Sequence, residues 1–217
     1  MKVVLVEGAR VTSGETGLKQ VVKRVSRAID RILPPAIGIT VLIYHRVGGR
    51  SPSAVDLDPV MFDDQLAILA AEHRVLTLAE ALAELAGPSS GWGSEGASSA
   101  DAGARVAAGT DPRPGVVLTF DDGTSDFTEV AVPLLVRHGL PATLYAATQF
   151  IDSGEPFPWG APPTSWNALR DAMATGLISV GSHTHSHWLL DRLQPAAIAD
   201  DLDRSIELIG AHLGTAP

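Results

Sequence analysis

Cysteine is absent from the 217 residues, which removes disulfides, thiolate metal sites and cysteine nucleophiles from consideration. Any metal must therefore sit on His, Asp or Glu. Lysine is missing from everything beyond Lys23. Residues 1–35 hold seven basic side chains against three acidic ones, a balance of +4, which leaves −13 for the rest of a chain whose net charge is −9. A body this acidic excludes polyphosphate and nucleic acid as natural partners, because phosphate contacts need a basic surface. Long apolar runs are lacking too. None approaches the ~20 residues of a membrane span, so no transmembrane segment is expected. Val3 to Val6 after Lys2 is too short for a signal-peptide core, and as written the chain is expected to start cytoplasmic.

What is present suffices for a folded domain, since apolar residues make up 45% and charged residues 19%. The acidic balance suits a neutral or cationic substrate such as an amino-sugar polymer, although solubility alone explains it equally well. Two regions stand apart. Residues 1–36 read as an N-terminal extension with a basic amphipathic helix, apolar at Val21, Val22, Val25, Ile29, Ile32 and Leu33 and stopped by Pro34-Pro35. Residues 87–115, rich in Gly, Ser, Ala and Pro, read as a flexible surface insertion containing a stray Trp92.

Between and after them, from residue 37 to 217, strands alternate with helices. Strands are expected at Ile39–Tyr44, Val75–Leu76, Val116–Phe120, Ala142–Ala146 and Leu177–Val180. Helices are expected at 59–72, 77–85 (capped by Thr77 and Glu80), 126–138, 166–174 and 195–213. The last presents Ile198, Leu202, Ile206 and Ile209. This alternation means an α/β fold with a parallel sheet, open or closed into a barrel. Sites in such sheets form at the carboxyl ends of strands, and three loaded stretches sit there: His45, Asp121-Asp122 and His183 to His187.

Two adjacent carboxylates at a buried strand end repel each other unless a cation sits beside them. A polar turn closed by Gly123, or a helix cap, is the plainer explanation of Asp121-Asp122 taken alone. His183 and His187 are four apart, so on one helical or tight-loop turn their rings can converge on one ion. Thr184 and Ser186 can hydrogen-bond the backbone between them. Two imidazoles and one carboxylate leave coordination positions open, which is the pattern of a catalytic metal site. The second carboxylate is then free to act as general base.

Thr119-Phe120-Asp121-Asp122-Gly123, followed about sixty residues later by His183-Thr184-His185-Ser186-His187, resembles the polysaccharide deacetylases of carbohydrate esterase family 4. The resemblance runs from about residue 39 to the C-terminus and includes Trp166 in the preceding helix. It implies a distorted, here partial, parallel (β/α) barrel. It also implies Asp121 as catalytic base and Asp122, His183 and His187 as ligands of a divalent metal, usually zinc. Tyr44-His45-Arg46-Val47 resembles the opening of the poly-N-acetylglucosamine deacetylase-like branch and implies His45 as general acid. The expected reaction is metal-dependent deacetylation of an N-acetylated carbohydrate, in preference to an O-acetylated one, with release of acetate. Groove-wall motifs that the family carries further on have no counterpart before Pro217, so the chain reads as C-terminally truncated. Two other readings stay open: an impaired metal- or glycan-binding barrel fragment, and another metal-dependent amidohydrolase using His183-Thr184-His185.

Overall fold

The computed structural model describes residues 2–5, 38–86 and 111–215. The helix expected within residues 1–36 lies outside them, as do residues 87–110 of the insertion with Trp92. The strands are β1 (Lys2–Leu5), β2 (Ile39–Tyr44), β3 (Arg74–Leu76), β4 (Gly115–Phe120), β5 (Ala142–Ala146) and β6 (Ile178–Ser182). They form one parallel sheet in the order β1-β2-β4-β5-β6. Beyond β2, strand β4 has two neighbours on its other flank: β3 along residues 115–117 and β5 along residues 119–120. This is the α/β architecture of a partial barrel. Strand β1 has no periodic signal of its own; it exists through parallel pairing with β2, Lys2 opposite Thr40 to Leu5 opposite Ile43. Gly115, expected to end the insertion, instead opens β4.

Among the described residues six α-helices accompany the strands: α1 (Pro59–Glu72), α2 (Leu78–Ala86), α3 (Val132–His138), α4 (Thr148–Ser153), α5 (Trp166–Ala174) and α6 (Pro195–Leu213). Helix α1 starts where Asp58 accepts the Val60 and Met61 amides at 2.8 and 3.3 Å, and it buries Phe62, Leu66 and Leu69. At α2 the Thr77 amide donates to Glu80 at 2.8 Å and the Glu80 amide to the Thr77 hydroxyl at 3.2 Å, a reciprocal capping box.

The helix expected over 126–138 is split. Residues Phe127–Ala131 form a wide π turn before α3 begins. Pro133 explains it: with no amide hydrogen and a ring that crowds the carbonyl four residues back, it cannot continue a regular α-turn. Helix α6 also differs from its expected apolar stripe. It buries Ser205, Leu208 and Ile209 while Ile206 is 46% exposed. Ser205 is admitted to the interior because it accepts the Ser182 hydroxyl at 2.8 Å.

The core element that matters for the site is an aromatic cluster. Tyr44 and Phe120 stack at 5.2 Å between ring centroids, Phe62 meets both edge-on, and Phe127 closes on Phe120 at 4.9 Å. Tyr44 and Phe120 are the last residues of β2 and β4, so their packing fixes where the following residues emerge. Among the described residues no helix is long and apolar enough to cross a membrane.

Candidate active site

Three strand ends converge. His45 follows β2, Asp121 and Asp122 follow β4, and His183 follows β6. The strand ends are tied to one another: the Asp121 amide donates to Tyr44 at 3.0 Å, and the His183 amide donates to Ala146 at 2.9 Å. Gly181 lets β6 approach, since a Cβ there would stand 2.9 Å from the Tyr145 ring.

Asp122 is 5% exposed and adopts a left-handed backbone, φ 71°. That turns its carboxylate away from Asp121 and onto the histidines. Its Oδ1 lies 3.0 Å from His187 Nε2 and 3.6 Å from His183 Nε2. One donor atom from each of Asp122, His183 and His187 falls within 4.8 Å of the others, so the three could hold a metal ion. Gly123 follows with φ 94°, and a Cβ added there would stand 3.1 Å from Ile151 Cδ1.

The donor set suits such an ion. Burial pushes the His183 imidazole below its ordinary value of 6.5 against the pull of Asp121 and Asp122, keeping it neutral and able to donate a lone pair. His187 moves the other way, because its hydrogen bond to Asp122 outweighs its own burial.

The histidine segment is neither helix nor strand. Thr184 and His187 have φ of 69° and 60°, and the backbone is held from several sides. The His187 amide donates to the Thr184 hydroxyl at 3.0 Å and the Trp188 amide to Ser186 at 3.4 Å. The first amides of α4 donate to the Thr184 and His185 carbonyls. Asp201 of α6 accepts the His185 and Ser186 amides at 2.8 and 3.0 Å. Burial works to raise the Asp201 carboxyl, but hydrogen bonds from Ser186 and the two amides outweigh it and hold it below 3.8. His185 stands outside the triad, its Nδ1 3.0 Å from the Thr148 hydroxyl. The geometry therefore does not assemble a His183-Thr184-His185 pair of the amidohydrolase kind.

Asp121 occupies the other side. Its Oδ2 lies 3.8 Å from His45 Nε2, too long for a hydrogen bond and short enough for both to flank one reacting group. Burial raises the Asp121 carboxyl above 3.8; His183 and His45 oppose this, and Asp122 adds to it. A carboxylate raised in this way binds a proton more readily than a solvated one.

Sequence reasoning missed Asp201 and Trp159. Asp201 acts from a helix fourteen residues past His187, and no spacing rule links them. Trp159 sits in an aperiodic loop, with its ring 5.8 Å from that of His187. It also missed Arg46, whose Nε binds Asp126 at 3.2 Å across eighty positions of sequence.

Comparison with known proteins bears on this geometry. No curated protein matches the sequence. Among solved structures, IcaB from Ammonifex degensii superimposes with a TM-score of 0.64 at 27% identity, over 82% of this chain and 71% of that one. The Streptococcus pyogenes deacetylase PplD in complex with acetate does so with a TM-score of 0.64 at 23% identity, over 82% and 70%. The polysaccharide deacetylase profile matches residues 108–217, which is half of the chain and contains Asp121, Asp122, His183 and His187. With the triad, the adjacent carboxylate and the parallel sheet in place, the chain belongs to the polysaccharide deacetylase family.

Proposed function

We propose that this deacetylase removes N-acetyl groups from an amino-sugar polymer. In this reading Asp122, His183 and His187 hold a divalent metal, zinc first among the candidates, Asp121 is the general base and His45 the general acid. The observation that carries it is the division of labour between two adjacent carboxylates. Asp122 faces two imidazoles, and Asp121 faces a third.

When bound, the metal would polarise the acetyl carbonyl and acidify water. Asp121 takes a proton from the attacking water as its oxygen bonds to the carbonyl carbon. His45, 3.8 Å from Asp121, delivers a proton to the nitrogen as the C–N bond breaks. The products are acetate and a free amine. The acidic body of the chain suits a product that carries positive charge.

The test is acetate release from N-acetylglucosamine oligosaccharides by the metal-loaded protein, compared with His45→Ala. Loss of turnover with metal content unchanged supports the assignment; near-normal deacetylation by the variant sinks the role of His45.

A further inference from the structure

The strand registers set four residues in one row across the sheet. Tyr44 pairs with Phe120 and Phe120 with Leu144, so His45, Asp121 and Tyr145 stand level at the ends of β2, β4 and β5. Tyr145 in turn pairs with Gly181 of β6, two residues before His183. Alternation along the strands assigns the row to one face. Phe120, Leu144 and Val180 point into the core. Thr143 and Ser179, two residues back from Tyr145 and Gly181, join hydroxyls at 2.9 Å on the other face. Tyr145 therefore stands on the face that carries the site, between the general base and the strand that leads to the triad.

Its surroundings are shaped for it. A Cβ at Gly181 would lie 2.9 and 3.0 Å from Cδ1 and Cε1 of Tyr145, so the ring fills the space that any larger residue on β6 would claim. The ring is only partly buried. Burial, and after it the Asp121 carboxylate, hold the phenol above its ordinary value of 10.0, so Tyr145 offers the site an uncharged and mostly carbon surface. The row also sets a direction. Strands β2 and β5 flank β4 on opposite sides. With His45 protonating the nitrogen from the β2 side, that nitrogen lies toward β2. At a trigonal carbonyl carbon the acyl chain points away from the nitrogen, which here is toward β5 and Tyr145.

Resting on the deacetylase reading, we propose that Tyr145 is the end wall of the acyl pocket and restricts the enzyme to acetyl groups. A methyl group fits against the ring; a longer chain runs into it. Gly181 keeps the ring low enough for the methyl to enter.

The experiment compares kcat/KM for the N-acetyl, N-propionyl and N-butyryl forms of a glucosamine tetrasaccharide in the metal-loaded wild type, Tyr145→Ala and Tyr145→Phe. Wild type is expected to favour acetyl. Tyr145→Ala should raise the propionyl-to-acetyl ratio roughly tenfold, the effect of one methylene in an apolar pocket, and Tyr145→Phe, which keeps the ring, should retain the wild-type ratio. An unchanged ratio in Tyr145→Ala overturns the proposal. So does an equal rise in Tyr145→Phe, which would assign the effect to the hydroxyl. Tyr145→Leu, which removes less packing, takes the place of Tyr145→Ala if that variant fails to fold or to retain metal. If the wild type releases acid from none of the substrates, the deacetylase reading fails, and the wall is judged by calorimetric binding of acetate and butyrate. A butyrate-to-acetate affinity ratio that rises in Tyr145→Ala upholds it; an unchanged ratio, or no binding of either acid, overturns it.

Discussion

Asp121 and Asp122 share a peptide bond and face different histidines: Asp121 Oδ2 is 3.8 Å from His45 Nε2, and Asp122 Oδ1 is 3.0 Å from His187 Nε2. The left-handed backbone at Asp122 makes this divergence. The two carboxylates should therefore fail in different ways. Asp121→Asn is expected to lower kcat by about 10²–10⁴-fold, the range for a lost general base, with metal content intact. Asp122→Ala should lose the metal itself. Metal analysis beside acetate release distinguishes the two, and equal metal loss in both variants would contradict the division.

Asp201 touches no donor atom of the triad, but it holds two backbone amides of the segment that carries His187. Supports of this kind commonly contribute 10–100-fold to metal affinity. Asp201→Ala is expected to weaken metal binding about tenfold. Asp201→Asn, which keeps one acceptor oxygen, should fall between. His185→Ala should retain metal, because that imidazole is bonded to Thr148. A metal-free His185→Ala protein would overturn the ligand set.

Acid should expel the metal early. In the metal-free protein the hydrogen bond to Asp122 raises the His187 pKa above 6.5, so protons compete for this ligand from nearer neutrality than for an ordinary imidazole. Burial lowers the His183 pKa, so protons compete for that ligand only at lower pH than for His187. Metal affinity is thus expected to fall about tenfold per pH unit once pH drops below the raised His187 value. Titration of metal-free protein at pH 8, 7 and 6 measures it. A constant affinity over that span would contradict it.

Asp56 organises the loop after His45. Its carboxylate accepts the amides of Gly48, Gly49, Arg50 and Ser51 at 2.8 to 3.2 Å and the Ser51 hydroxyl at 2.7 Å. Burial would raise its pKa, but these bonds and Arg46 outweigh it and hold the group below 3.8. A depressed folded pKa gives stability that is present above 3.8 and lost as pH falls through the lower, folded value. Asp56→Asn is expected to destabilise the protein by about 3 kcal/mol at neutral pH and to flatten the acid limb of its stability profile. Denaturant unfolding between pH 7 and 2 tests both, and an unaltered acid limb would exclude Asp56 as its source.

Much of this arrangement was legible in local pattern. The run ITVLIY, the Thr77–Glu80 box and the Asp121-Asp122-Gly123 turn are short-range signals that end where the strands and helices end. Other features depend on distant partners. Strand β1 exists through its register with β2. The π turn answers to Pro133 rather than to the apolar period around it. The histidine segment could be read as one turn of helix, because i and i+4 spacing fits both; what decides against helix is Asp201 and the first amides of α4. Ile206 fitted the expected stripe of α6, and Ser205 took the buried place through its bond to Ser182.

Among the described residues the three non-glycine positions with positive φ are Asp122, Thr184 and His187. For side chains that branch at Cβ or carry bulk, such a backbone costs on the order of 1–2 kcal/mol each. Selection for heat resistance alone would therefore favour glycine at residue 184, and it would read as a gain while the pocket for the ion came apart. A library screened for melting temperature should accordingly be counter-screened for metal retention, since at these positions the sturdier protein and the working one are different molecules.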